Sequence, residues 1–151
     1  MWQGQSFSEL SRYSEAIESY TLVPDLKPDY MDAYHELGWC HVELGHYAEA
    51  AAAHEHEIKL RISNNSGADE KGQTKLSRAY EELGITYFFD LRLPEAERAF
   101  RQAIGLTPNS LQAHAGLVAV YQQMGNDSEA EKEQRLVLEL EGAPSPPSEE
   151  N

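Results

Sequence analysis

The sequence predicts an all-α fold, an open right-handed array of helical hairpins, from three observations. Small and bulky residues recur at a fixed spacing, each recurrence carries an apolar stripe at helical rhythm, and turn residues separate the stripes. Gly4, Phe7, Leu10, Tyr13, Ala16 and Ile17 return in type or size 34 residues later as Gly38, His41, Leu44, Tyr47, Ala50 and Ala51, with a change of character only at His41 and Ala51. Gly84, Tyr87, Ala96 and Phe100 stand 46 residues after Gly38, His41, Ala50 and His54, a spacing longer by 12. It then falls back to 34, since Tyr121, Ala130 and Val137 follow Tyr87, Ala96 and Ala103. The expectation is one domain over residues 1–141, with units of about 1–28, 31–62, 77–108 and 111–141, an insertion loop at 63–72 and a disordered tail at 142–151.

Each unit has its own physical warrant. In the second, Tyr34, Leu37, Gly38, His41 and Leu44 alternate three and four apart, which lines one side of a helix. Gly38 and Gly84 lack a Cβ and let a partner helix approach, with Ala16, Ala50, Ala96 and Ala130 expected to answer from the second helices. Gly45-His46-Tyr47 and Gly125-Asn126-Asp127 are expected turns, because glycine tolerates the left-handed conformation that ends a helix. In the third unit Leu93-Pro94-Glu95 takes this place, Pro94 suiting a first helical turn. Pro28 and Pro108 close second helices. The stretch 63–72 is polar and holds two glycines, so it is a loop, either merely tolerated on the surface or part of a binding face. The tail, rich in proline and serine, cannot bury apolar area.

These spacings resemble the tetratricopeptide signature: an aromatic, then Leu-Gly, a tyrosine, and later an alanine, an aromatic and a proline. The third unit carries the fullest match in Tyr80, Leu83, Gly84, Tyr87, Ala96, Phe100, Ala103 and Pro108. The second supplies Tyr34, Leu37, Gly38, Gly45, Tyr47 and Ala50, and the first Gly4, Phe7, Tyr13, Ala16, Tyr20 and Pro28. The fourth has Leu117, Tyr121, Gly125 and Ala130, but Val118 stands where the family prefers glycine and Gln134 where it prefers an aromatic. The resemblance implies a non-catalytic scaffold whose first helices line a concave groove holding a protein or peptide.

Helical geometry then selects the side chains. At 100° per residue, the face opposite Tyr34, Leu37, Gly38 and His41 contains Asp32, His35, Trp39, Val42 and Glu43. The third unit offers Arg78, Glu81, Ile85, Phe88 and Phe89, and the fourth Gln112, Ala115, Ala119, Gln122 and Gln123. Trp39, Ile85, Phe88 and Phe89 together make an amphipathic groove with aromatic anchors, Trp39 and Phe89 foremost, unless neighbouring helices cover some of them. The resemblance also implies a carboxylate clamp of lysines, an arginine and asparagines. Glu36 and Glu82 occupy positions where that clamp wants asparagine and arginine, Gln5 only loosely replaces another asparagine, and Arg78 alone supplies a cation. An acidic tail is therefore disfavoured as the guest.

Charge and composition exclude other classes. Twelve basic against 26 acidic residues leave a net charge of −14, which repels phosphate backbones and anionic membranes, so nucleic acid and membrane are not expected partners. The N-terminal Met1-Trp2-Gln3-Gly4-Gln5-Ser6 lacks the basic and apolar stretches of a secretory signal, and Cys40 is the single cysteine; both point to the cytoplasm. Asn64-Asn65-Ser66 and Asn126-Asp127-Ser128 are accordingly read as turns rather than glycosylation sites. No nucleophile elbow, phosphate loop or paired-cysteine motif occurs, and Cys40 and His41 diverge by 100°, so no catalytic residue is expected. Among His35, His41, His46, His54, His56 and His114 no two are three or four apart, so neither metal nor other cofactor is expected, histidine-based metal or haem binding staying a remote alternative. Glu43-Leu44-Gly45-His46 imitates half of a di-metal motif but stands alone. The runner-up function is self-association through the array ends, with Leu136 and Leu140 on a last helix that nothing further covers.

Overall fold

A computed structural model describes residues 2–22, 31–65 and 67–142, with side chains from residue 12 onward. Among the described residues seven helices follow one another: α1 Trp2–Thr21, α2 Met31–Glu43, α3 Tyr47–Ser63, α4 Glu70–Phe89, α5 Leu93–Leu106, α6 Leu111–Met124 and α7 Asp127–Leu140. No strand occurs among the described residues. Substantial packing joins each helix to its chain neighbour, and beyond that only α4 to α6. The fold is thus an all-α repeat array rather than a closed bundle.

The hairpins α2–α3, α4–α5 and α6–α7 close through one turn used three times. Gly45, Leu91 and Gly125 occupy the same register position and all take positive φ, 72°, 60° and 73°. Each is bracketed by matching backbone bonds. His46 N donates to His41 O (2.8 Å), Arg92 N to Tyr87 O (2.9 Å) and Asn126 N to Tyr121 O (2.8 Å), while Gly45, Leu91 and Gly125 donate to Val42, Phe88 and Gln122. This is a Schellman closure, which satisfies carbonyls that the end of a helix leaves free.

The first unit departs from expectation. A hairpin was predicted there, yet α1 runs unbroken from Trp2 to Thr21, so three hairpins follow a single helix. Ser11 lies at the register of Gly45, and the helix runs on through it. Pro28 and the tail beyond Gly142 lie outside the described residues. Of the stretch 63–72, Ser63 still belongs to α3 and residues 70–72 already belong to α4. Asp69 accepts a bond from Gly72 N at 2.7 Å and so starts α4 well before the apolar stripe begins. Ser110 caps α6 in the same way, accepting from Ala113 N.

Ala50, Ala96 and Ala130 are buried, but the closest neighbours of the helix glycines are rings. A Cβ on Gly38 would lie 2.4 Å from His54 Cε1, and one on Gly84 2.8 Å from Phe100 Cε1. Phe100 also fills the space before Gly116 of the next hairpin, so a single side chain stitches α4, α5 and α6 into one core with Leu83, Leu117 and Val120. His114 fastens the last hairpin, its two ring nitrogens 2.6 Å from Glu133 Oε2 and 2.9 Å from the Pro108 carbonyl.

Candidate functional site: the face of the first helices

Helices α2, α4 and α6 stand side by side because each is the first member of a hairpin. Between them opens a hollow of about 220 Å³, lined by Trp39, Val42, His54, Arg78, Glu82, Ile85, Thr86 and Gln112. Five residues selected by helical geometry, Trp39, Val42, Arg78, Ile85 and Gln112, thus meet in one place. Trp39 is 48% exposed, an aromatic that solvent would not favour without a use for it. It also borders a second hollow with Tyr13, Glu36, Cys40 and Glu43.

The remaining candidates are distributed elsewhere. His35 lines a separate small cavity with Asp32, Glu57, Arg61, Lys75, Arg78 and Ala79. Phe88 is partly buried against the core, and exposed Phe89 stacks on Tyr47 with ring centroids 5.8 Å apart, at the turn end of the array. Gln122 and Gln123 are exposed near the end of α6. Glu81 is buried, and its carboxylate accepts a hydrogen bond from Ser110, joining α4 to the start of α6. Its position facing the next unit, rather than solvent, makes it a connector between hairpins. Leu136 and Leu140 are exposed on α7 while Val137 between them is buried.

Sequence reasoning missed Glu57 and Arg61, which join His54 in a buried polar group at the base of this face. His54, Glu57 and Arg61 project inward from α3 along the same three-and-four rhythm as Ala50, Ala53 and Ile58, and that rhythm was a legible signal. Arg61 Nε donates to Glu57 Oε1 at 2.8 Å, and Arg61 also lies 3.5 Å from Asp32. His35 Nδ1 lies 3.4 Å from Glu57 Oε2 and 3.0 Å from Glu82 Oε2. The carboxylates Glu57 and Glu82 beside His35 raise its pKa to about 10, against a smaller opposing effect of burial. Burial pushes the Glu57 carboxyl up, but His35, His54 and Arg61 overrule it and hold it at about 2. Cys40 is buried, and burial followed by Glu36 and Glu43 pushes its thiol up, the opposite of an activated nucleophile.

The likeness to known proteins matches this architecture. Residues 3–63 match the tetratricopeptide repeat family. The Hsp70-Hsp90 organizing protein of Triticum aestivum is 39% identical over 59 residues, covering 39% of this chain and 10% of its own length. Heat shock protein STI1 of Saccharomyces cerevisiae is 28% identical over 87 residues, covering 55% of the chain and 15% of its own length. A protein O-mannosyl-transferase of Caenorhabditis elegans is 35% identical over 65 residues, 43% of the chain and 9% of the relative. The chain therefore spans only a small part of each of these relatives. Among solved structures, MamA from Desulfovibrio magneticus RS-1 superposes with a TM-score of 0.72 at 23% identity, covering 89% of this chain and 70% of that one, a likeness of fold. No helix among the described residues is long and apolar enough to cross a membrane. Residues 3–63 match the model of the tetratricopeptide repeat family, and the same register and Schellman turn recur in the two hairpins that follow.

Proposed function

We propose that the array is a non-catalytic scaffold that holds a segment of another protein along the face of α2, α4 and α6. The observation that carries this reading is the hollow in which Trp39, Val42 and Ile85 supply apolar wall and Arg78, Glu82 and Gln112 a polar rim. An apolar anchor with polar groups around it is the usual anatomy of a protein-binding hot spot. Relatives named for organizing Hsp70 and Hsp90 and for heat shock support a role in holding other proteins. The guest favoured by the chemistry is an apolar side chain flanked by basic ones. Glu82 stands in the hollow, Glu36 and Glu43 flank Trp39, and the net charge of −14 steers cations inward.

Trp39 and Phe89 are the assigned anchors, one in the hollow and one at the turn end of α4. Truncating a true hot-spot aromatic costs at least about 2 kcal/mol, so Trp39→Ala and Phe89→Ala should each weaken binding of a recovered partner about thirtyfold. Calorimetry with both variants is the test. Unchanged affinity in both would remove the groove reading and leave self-association as the alternative, for which exposed Leu136 and Leu140 are the motive.

A further inference from the structure

The junction of α2, α3 and α4 holds a side-chain cluster behind the hollow, sharing His54, Arg78 and Glu82 with its lining. His35 comes from α2, His54 and Glu57 from α3, and Glu82 from α4. Two arginines hold the carboxylates from outside. Arg61 contacts Glu57 Oε1 through Nε at 2.8 Å and a terminal guanidinium nitrogen at 2.7 Å, and Arg78 Nε contacts Glu82 Oε1 at 3.2 Å. Each carboxylate is thus fixed by one oxygen, and its second oxygen turns toward a common centre. Around that centre His35 Nδ1 lies 3.4 Å from Glu57 Oε2 and 3.0 Å from Glu82 Oε2, and His54 Nδ1 lies 3.8 and 4.0 Å from the same two atoms.

Glu57 Oε2, Glu82 Oε2 and His54 Nδ1 are all buried, and none completes a hydrogen bond. Glu57 is 1% exposed and His54 2%. Interiors rarely leave such atoms unsatisfied, and three converging on one point call for a ligand there. We propose that His35, Glu57 and Glu82 bind a divalent transition-metal ion of the zinc type that ties α2, α3 and α4 together.

The geometry matches that chemistry. Zinc bonds of about 2.0–2.1 Å in a tetrahedron set donor atoms roughly 3.3 Å apart. The His35 edges, 3.0 and 3.4 Å, already have this length. The donor atoms of His35, Glu57 and Glu82 lie within 4.8 Å of one another. One imidazole and two carboxylates suit zinc, cobalt or nickel, whereas calcium and magnesium want shells of six or more oxygens. Two carboxylates balance a dication, and Arg61 and Arg78 orient them from the outer side. None of this depends on what the groove binds.

The test is calorimetric titration of zinc into the chelator-treated full chain. One ion per chain is expected, with a Kd of about 1 µM or tighter, and a rise in melting temperature that magnesium does not reproduce. His35→Asn and Glu82→Gln should each weaken binding about tenfold or more. His56→Asn, which alters an exposed histidine on α3 outside the cluster, should leave it unchanged. Circular dichroism of the metal-free variants separates lost binding from lost folding. Should either variant fail to fold, cobalt in the unaltered chain decides, since a tetrahedral N/O site absorbs strongly in the visible and scattered surface histidines leave cobalt octahedral and pale. The proposal is overturned by absent zinc binding, by unaltered affinity in His35→Asn and Glu82→Gln, or by an octahedral cobalt spectrum.

Discussion

Leu91 stands where the other two hairpins use glycine, and it accepts the same left-handed backbone, φ 60°, with its side chain 74% exposed. A leucine in that conformation crowds its own Cβ against the following carbonyl, a cost of about 1–2 kcal/mol that nothing buried around Leu91 offsets. Glycine removes the crowding but gives back part of the gain through the freedom of its unfolded chain. Leu91→Gly should therefore stabilise the protein by about 0.5–1 kcal/mol, read as a higher urea midpoint with an unchanged slope. A lower midpoint would show that the Leu91 side chain makes a contribution its exposure does not reveal. At the same scale, Ser11 shows the opposite outcome: at that register position the chain continues as helix, whereas at Leu91 it turns.

Between paired helices, volume is exchanged across one contact. Gly38 faces His54, Gly84 faces Phe100, and in the last hairpin Val118 is buried while its counterpart Gln134 turns outward. A methyl at Gly84 would come within 2.8 Å of the Phe100 ring, which is itself enclosed by Gly116. Gly84→Ala should accordingly cost about 1–3 kcal/mol by overpacking, although alanine is the better helix former. Thermal melts of the variant test this, and an increase in stability would mean that α4 and α5 separate freely. The polar contact between α2, α3 and α4 makes a prediction of its own for metal-free protein. His35, raised by Glu57 and Glu82 from 6.5 to about 10, contributes stability that is complete below pH 6.5 and lost as pH rises toward 10. Glu57 is lowered from 4.5 to about 2, with burial opposing and His35, His54 and Arg61 prevailing, so its contribution is complete above pH 4.5 and lost toward pH 2. The melting temperature should be highest between pH 4.5 and 6.5, and His35→Asn should flatten the alkaline decline. A flat profile in the unaltered protein would contradict the ion pairing.

As a whole the molecule is a row of elements in which helices touch their chain neighbours, and α4 reaches α6, so its two ends do not meet. An open row keeps a long face available, as a binding scaffold requires, and leaves terminal helices half covered. On α7, Val137 is buried against α6 while Leu136 and Leu140 stay exposed. If those leucines pair with another copy, light scattering should find a dimer in the unaltered chain and a monomer in Leu136→Glu/Leu140→Glu. A monomer in both would end the self-association reading.

The repeat itself was legible without coordinates, because the spacing of Gly38, Gly84, Tyr87, Tyr121 and the alanines records which positions each helix must bury. So were the turns at Gly45 and Gly125, whose backbone excludes most other residues, and the shared side of the first helices from which Trp39, Ile85 and Arg78 line one hollow, since helical rotation alone sets their direction. Leu91 escaped notice because no propensity marks a leucine for the left-handed region. The unbroken α1, the inward use of Glu81 and the meeting of His35, His54, Glu57 and Glu82 were decided by tertiary structure. A helix fixes what is neighbour to what at three and four residues' distance; which side chains from three separate helices converge on one point depends on how those helices stack, and one chain's periodicity carries no information about that angle.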